Sequence, residues 1–318
     1  MKHYISLAFF IVVVMGLPMI VRNPYYVGTL VFVGIYSLIT ISLSLLLGYA
    51  GQISLGHAAF YGIGAYTSGL LATRCHLSPW IGLVCAAVVA GVLAYSIGRP
   101  VLKLRGHYLA MATLGFGEIV YIFLNSTVEL TGGPSGFGQI PRFAVGAFSF
   151  KNDTRFYYLV WVTVIILLVL VLNVINSRIG RALRSIHGSE TAANTMGVNT
   201  ASYKMQVFVF SAAVSSIAGA YYAHYVTFVS PATFDANTSI LLVTMVIIGG
   251  MSNVWGAILG ALLLGTLPEY LRTFGDYDIL IYGAIMLIIM MFAPEGLAGI
   301  AAAVKRKFEG TLVPRAAA

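Results

Sequence analysis

The sequence predicts an all-α fold, a polytopic transmembrane helical bundle, and three observations carry that prediction. Hydrophobic residues make up 59% of the 318 positions and charged residues only 9%, whereas about 25% of the residues of an ordinary soluble domain are charged. Apolar stretches near the ~20 residues that a helix needs to cross a bilayer recur along the chain. These stretches do not alternate apolar and polar residues, so we expect helices and not the strands of a membrane β-barrel.

The apolar stretches predict ten segments, of which about eight to ten cross the membrane. They are 4–21, 27–47, 51–73, 80–98, 107–128, 156–176, 206–226, 238–250, 254–267 and 279–293. Two of them, 238–250 and 254–267, are only roughly 20 Å long at about 1.5 Å per residue, so they cross twice or form a re-entrant hairpin. Five segments per half also suit a 5+5 inverted repeat in which the third and eighth segments correspond. We expect one transmembrane domain over 1–304 and a basic tail over 305–318.

The distribution of Lys and Arg predicts that both termini lie in the cytoplasm, because cytoplasmic connections are enriched in these residues. With the N-terminus inside, the inside charges are Lys2, Arg99, Lys103, Arg105, Arg178, Arg181, Arg184, Lys204, Lys305, Arg306, Lys307 and Arg315. The outside charges are Arg22, Arg74, Arg142, Lys151, Arg155 and Arg272. Orientation thus accounts for the net charge of +8, and we expect no nucleic-acid partner. The run 4–21 lacks a cleavage site and is expected to be a retained span, whereas 312–315 resembles part of a protease-cleavage tag.

The connection between segments six and seven, Ser177 to Lys204, is the most informative stretch. Ser189 suits a helix N-cap, Glu190 places a negative charge in the first turn, and Gly197 suits the residue after a helix end. The predicted helix has about two turns, and a helix that short is marginal in water. Either it docks into a groove on a cytosolic partner, or it is a chance helix in a surface loop whose arginines only set the topology.

Polar residues within the apolar segments are candidates for a solute path. Glu118 lies near the middle of 107–128, where a carboxylate indicates either a function such as proton coupling or a hydrogen bond to a neighbouring helix. A lone histidine among glycines and alanines, such as His57, is more often a packed, hydrogen-bonded side chain than a ligand. The outside connection 129–155 contains glycines and a proline, which favour an ordered cap or a flexible loop. The full set of path candidates is Gln52, Ser54, His57, Phe60, Glu118, Thr131, Gly132 and Gly133.

Four motifs between residues 48 and 256 resemble the branched-chain amino-acid permease family of ABC transporters, most nearly the larger of its two paired permease subunits. They are the run from Gly48 to Tyr66, the pattern Thr131-Gly132-Gly133-x-x-Gly136, the run from Arg181 to Tyr203, and the run from Val246 to Met251. Within the third, Glu190, Ala192, Ala193 and Gly197 resemble the Glu-Ala-Ala-x-x-x-Gly coupling element of ABC importer permeases. Thr191 stands where that element often has Ala, and both residues are small.

The resemblance implies a multi-pass permease subunit in the bacterial inner membrane that imports branched-chain amino acids. It also implies a heterodimer with a second permease subunit, two cytosolic ATPase subunits and an external solute-binding protein. The ATPase-coupling residues it implies are Arg181, Arg184, Glu190, Thr191, Ala192, Ala193 and Gly197. The sequence lacks a Gly-x-x-x-x-Gly-Lys-[Ser/Thr] phosphate loop. We therefore expect no ATP site, no enzyme activity and no metal on this chain, with ATP and Mg bound by the partner subunits.

Three other functions remain open at this stage. A proton-coupled secondary transporter would use Glu118, and it would not need the 177–204 connection. An ABC permease for urea or short amides would share the same motifs. A membrane-embedded enzyme ranks last, because the sequence has no cluster with ligand spacing such as His-Glu-x-x-His.

Overall fold

A computed structural model describes residues 2–20, 23–146 and 148–271, together with a few positions between 281 and 299. The helices are α1 (Lys2–Ile20), α2 (Pro24–Ser44), α3 (His57–Arg74), α4 (Pro79–Val101), α5 (His107–Ser126), α6 (Val128–Thr131), α7 (Asp153–Asn176), α8 (Arg178–Gly188), α9 (Glu190–Thr195), α10 (Thr200–Val226), α11 (Ala236–Gly249) and α12 (Val254–Leu271). A π-helix, Leu45–Tyr49, extends α2, and 3₁₀ turns cover Gly133–Ser135 and Pro231–Phe234. The strands are β1 (Phe137–Gly138), β2 (Ala144–Val145), β3 (Phe148–Ser149) and β4 (Phe228–Val229).

Six of the described helices are long and apolar enough to cross a membrane: α2 with its π-helical extension, α4, α5, α7, α10 and α12. Two shorter apolar helices are α11 and the part of α1 from Leu7 to Met19. The prediction of an all-α polytopic bundle is confirmed. Segment 279–293 and the tail 305–318 lie largely or wholly outside the described residues, so the final segment count, the inverted repeat and the domain division stay predictions.

Helix α2 lies at the centre of the bundle. The most apolar window of α2 is 83% buried within the chain, against 28% for α4 and 22% for α5. The indole Nε1 of Trp161 on α7 donates to the carbonyl of Leu30 on α2, at 3.1 Å. The hydroxyl of Thr40 on α2 donates to the carbonyl of Ala257 on α12, also at 3.1 Å. These bonds satisfy polar groups inside the bundle, as a membrane interior requires.

Helices α3 and α10 approach each other through glycines. A Cβ atom on Gly64 would lie 2.0 Å from the carbonyl oxygen of Ser216, and one on Gly219 would lie 1.9 Å from that of Tyr61. Only glycine permits such backbone contact, which is the small-residue packing that membrane helices favour.

The two ends of the bundle are distinct. At one end, which we call the ladder end, β1 pairs with β4 and β2 pairs with β3. The connection 129–155 is thus the ordered cap of the two alternatives. At the other end, the α9 end, α8 lies against the chain that follows α2, where a Cβ on Gly51 would lie 3.1 Å from the ring of His187, and α9 follows α8.

Helix α12 runs between these ends, whereas α11 has only 14 residues, and its Ser239 hydroxyl accepts from the amide of Ala58, at the start of α3, at 3.1 Å. The turn that joins them lies at the α9 end, where the hydroxyl of Tyr49 donates to the carbonyl of Ser252 at 2.8 Å. At the ladder end, Pro268 of α12 lines a cleft with Pro24 at the start of α2. The two-crossing and the re-entrant alternatives for 238–267 therefore both stay predictions.

The predicted segment 51–73 is wrong over its first six residues. Residues 51–56 are not helical, and α3 begins at His57. Gly51 has φ +66°, a conformation that glycine adopts without strain. The apolar composition of this stretch predicts a helix, whereas the left-handed conformation of Gly51 ends the preceding π-helix and separates it from α3.

Candidate functional site

Local contacts at the α9 end fix α8 to the end of α7. Ser177 caps α8, its hydroxyl accepting from the Ile179 amide at 3.1 Å. The guanidinium Nη2 of Arg184 donates to the carbonyl of Ile175 at 2.9 Å, which satisfies one of the last carbonyls of α7. Arg181 on the same helix is exposed. Of the two arginines, Arg184 therefore has a structural contact within the chain.

Helix α9 has the boundaries that the sequence predicts. The hydroxyl of Ser189 accepts from the Ala192 amide at 3.3 Å, and this N-cap satisfies a free amide of the first turn. The helix ends at Thr195, and Gly197 follows with φ +82°. Nothing lies within 4 Å of a Cβ built on Gly197. The predicted role of this glycine in ending the helix is confirmed by its left-handed conformation.

Three charged side chains meet beside α9, and we call them the Glu190 ion cluster: Glu190, Lys204 and Arg105. The Glu190 carboxylate lies 2.7 Å from the Lys204 ammonium and 3.3 Å from the Arg105 Nε. It also accepts from the hydroxyl of Thr200 at 3.4 Å. The Lys204 side chain is only 1% exposed, against 21% for Glu190 and 67% for Arg105. The cluster joins α9 to α10 and to the turn before α5.

The ion cluster corrects two expectations. Lys204, counted above only as an orientation signal, is a buried partner of Glu190. The short helix also has a source of stability within its own chain, besides any external partner. A hint was present in the sequence, because Thr200 and Lys204 stand four residues apart and so share one face of α10. The arginine from the α4–α5 turn had no such signal.

The remaining side of α9 faces outward. Ala193 is buried against the chain, with 3% exposed. Met196 is 84% exposed, unusual for a large apolar side chain beside a charged cluster. The exposed residues form a surface that we call the α9 face: Thr191, Ala192, Asn194, Thr195 and Met196.

The first group of path candidates lies in the interior. Nε2 of His57 is 2.8 Å from the hydroxyl of Ser211, which donates to the hydroxyl of Ser42 at 3.2 Å. This chain of polar groups connects α3, α10 and α2. Phe60 is fully buried and packs against Phe116 of α5, with ring centroids 5.2 Å apart.

Polar atoms at this level are not fully satisfied by the protein. Among the described residues, the Gln52 Oε1, the Ser54 hydroxyl and the His57 Nδ1 are buried and lack a hydrogen-bond partner. Burying such groups without a partner costs free energy, so unsatisfied groups in a native structure call for an explanation.

Glu118 lies elsewhere, on the outer surface of α5. Its side chain is exposed, and within the described residues it has no hydrogen bond or ion pair to a neighbouring helix of this chain. Met111 and Ile119 on the same side are 70% and 67% exposed. Nothing lies within 4 Å of a Cβ built on Gly115. Within the described part of the molecule Glu118 therefore has no hydrogen-bond partner on another helix of this chain, and its role stays a prediction.

The last group, Thr131 to Gly133, belongs to the ladder end. Thr131 is buried, and its hydroxyl donates to the carbonyl of Leu124 at 2.7 Å. Gly132 and Gly133 have φ +78° and +60° and form the turn after α6. These residues close the end of α5, and the pocket that Thr131 lines with Tyr66 includes neither Gln52 nor His57. Within the described ranges, no group of three or more His, Cys, Asp or Glu is placed to hold a metal ion.

The chain is similar to known proteins over most of its length. A family model described as "Branched-chain amino acid transport system / permease component" matches residues 25–293. The chain is 33% identical to the high-affinity branched-chain amino acid transport system permease protein LivM of Salmonella typhimurium, over 93% of this chain and 75% of that protein. It is 34% identical to LivM of Escherichia coli K12, over 88% of this chain and 71% of that protein. The permease protein LivH of Salmonella typhimurium is 27% identical, over 83% of this chain and 91% of that protein.

These matches agree with the structure. No solved structure matches the chain, so the family rests on sequence. The family model covers all four motifs between residues 48 and 256, together with the six long apolar helices. The relatives are named as permease proteins, which are transport subunits. The chain therefore belongs to the branched-chain amino acid transport permease family, as a multi-pass membrane protein.

Proposed function

We propose that this chain is one permease subunit of an ABC importer, which moves branched-chain amino acids into the cytoplasm across the bacterial inner membrane. The observation that carries the proposal is α9: a six-residue helix held at one end of the bundle by the Glu190 ion cluster, with an exposed face of small residues. Such a helix has little stability of its own. Its retention in a fixed position, with one face free, suits a contact for another protein.

The partner of the α9 face is a cytosolic ATPase subunit. Small side chains such as Ala192 and Thr195 permit close approach of the α9 backbone, and Met196 supplies a flexible apolar anchor for a groove. ATP and Mg are bound by the ATPases. Nucleotide-driven closure of two ATPase subunits displaces α9, and the bundle changes between its inward-facing and outward-facing states.

The partner of α5 is the second permease subunit, and the contrast between α4 and α5 supports this. Exposed residues of α4 such as Val84, Val88 and Val92 are apolar, with about 60% of each exposed, as lipid contact requires. The exposed side of α5 carries Glu118, and a carboxylate facing lipid is costly. A heterodimer that covers this side of α5 removes Glu118 from lipid and places it at the subunit interface.

The solute is a branched-chain amino acid that an external binding protein delivers. The unsatisfied polar atoms of Gln52, Ser54 and His57 support a path near the α2, α3 and α10 contact. They are buried in this conformation, so a solute reaches them only when the helices move. Thr131 to Gly133 lie at the ladder end, where the binding protein would dock.

The proposal is tested in proteoliposomes that contain this chain, the second permease subunit, both ATPases and the binding protein. We expect ATP on the ATPase side to drive uptake of leucine, isoleucine or valine, and an uncoupler at fixed ATP to have no effect. Sensitivity to the uncoupler would favour a proton-coupled transporter, and uptake of urea alone would favour the amide permease. Met196→Glu should weaken ATPase binding by about tenfold, whereas Met196→Leu, which keeps the apolar volume, should not.

A further inference from the structure

We infer that Glu190 is a positioning residue and not a contact for the ATPase: through Lys204 and Arg105 it connects α9 to α10 and to the start of α5, so displacement of α9 is transmitted to both helices. The inference rests on the proposed function, because it assigns the internal mechanics of the same α9 contact.

The connection to α10 is buried and strong. An ammonium group taken out of water is costly unless a carboxylate pairs with it at good geometry, and Lys204 is 1% exposed with Glu190 at 2.7 Å. Thr200, one turn earlier on α10, bonds both ends of α9: its hydroxyl lies 3.4 Å from the Glu190 carboxylate and 3.0 Å from the Asn194 side-chain oxygen. Helix α9 cannot move far from α10 without breaking these bonds.

The connection to α5 is exposed and weaker. Arg105 stands two residues before the start of α5, and its Nε lies 3.3 Å from Glu190. Helix α5 is the least buried of the six long apolar helices, so few contacts resist its movement. One of them is the Leu55 amide, which donates to the Thr113 hydroxyl at 2.9 Å. Displacement of α9 therefore pulls on the start of α5 through the Arg105 side chain.

The carboxylate of Glu190 has its ion-pair and hydrogen-bond partners within the chain. Two cations and a hydroxyl surround it, and its side chain is only 21% exposed. The ATPase contact consequently falls on the α9 face, and substitutions at the ion cluster should alter transport per ATP more than ATPase binding.

The first experiment compares Arg105→Gln with Lys103→Gln in the complete reconstituted complex. Both substitutions remove one positive charge from the same exposed turn, but only Arg105 contacts Glu190, and neither should affect folding. We expect Arg105→Gln to lower amino-acid uptake per ATP hydrolysed by about two- to fivefold, with ATPase binding and basal hydrolysis unchanged. Lys103→Gln should match the unmodified chain. Equal uptake per ATP in both variants, or an equal loss in both, overturns the inference.

The second experiment addresses the buried pair. Lys204→Met leaves a partly buried carboxylate without its main partner and should lower uptake per ATP by about tenfold or more. The double variant Glu190→Gln with Lys204→Met removes both charges, so its thermal stability should recover while uptake per ATP stays low. Recovery of both quantities would show that the pair only stabilises the fold and overturns the inference. Absence of ATP-driven uptake in the unmodified complex would instead refute the proposed function.

Discussion

Replacement of Gly197 by valine tests whether the position of α9 matters for coupling. The φ of +82° lies in the left-handed region, where a residue with a Cβ costs about 1–2 kcal/mol and a β-branched one costs more. Open space surrounds the new side chain, since nothing lies within 4 Å of a Cβ at this position. The cost therefore comes from the local backbone conformation and not from a clash with residues elsewhere in the chain. About 1–2 kcal/mol lowers the population of the native α9 conformation by roughly 5–30-fold relative to its alternatives.

The assay is solute-stimulated ATP hydrolysis by purified complexes, with ATPase association measured in parallel. The matched control is Gly188→Val. Gly188 also has no neighbour within 4 Å, but it lies in α8 without a positive φ, where valine is tolerated slightly better than glycine. Thr195→Ala is a second comparison, because within the chain it removes the bond from the exposed hydroxyl to the Ala192 carbonyl while it keeps a small residue on the α9 face. Full stimulation in Gly197→Val would refute the view that α9 couples hydrolysis to transport.

Three further predictions concern the packing of α10, the role of Glu118 and the orientation of the chain in the membrane. Gly219→Ala should lower the melting temperature of the purified chain, because its Cβ would lie 1.9 Å from a backbone oxygen and overpacking costs about 1–3 kcal/mol. The control is Gly91→Ala, which should be neutral because the nearest atom to its Cβ is at 3.7 Å. Equal melting temperatures of the two variants would contradict the packing argument. Glu118→Gln should retain ATP-driven uptake, since no proton is coupled; its loss in a fully assembled complex would revive the secondary-transporter alternative. Cys75 is exposed at the ladder end, so an impermeant thiol reagent should label it in intact cells, while a cysteine at Thr195 in a Cys75→Ser, Cys85→Ser background should stay unlabelled. The reverse result would invert the predicted topology.

The sequence predicts the helices of this bundle well because the bilayer imposes a length and a composition on each one. It predicts α9 for a different reason: N-caps and left-handed glycines are local signals, and Ser189 and Gly197 act within one turn of their own positions. Both kinds of prediction depend on residues close together in the sequence.

Tertiary pairings could not be predicted in the same way. Arg105 and Glu190 are separated by four helices along the chain, and nothing local indicates that they meet. The non-helical stretch 51–56 could not be predicted for a related reason: its apolar composition looks like part of a helix, and only the tertiary contacts of Gln52, Ser54 and Gly56, which are buried, hold it in another conformation. Glu118 stands out as a carboxylate within an apolar segment, but the sequence does not show which side of α5 it occupies.

The division between the two sides of α9 has a physical consequence. A helix of six residues, with only Ala193 buried, owes its position to the Ser189 cap and the Glu190 ion cluster and not to packing. If its bonds to α10 were as exposed as the rest of α9, solvent would screen them and a pull from outside would detach α9 alone. Burial of Lys204 instead makes separation of α9 from α10 costly, because it would leave an unpaired buried charge. We therefore expect α9 and the start of α10 to move as one body, while the α9 face stays free to exchange partners.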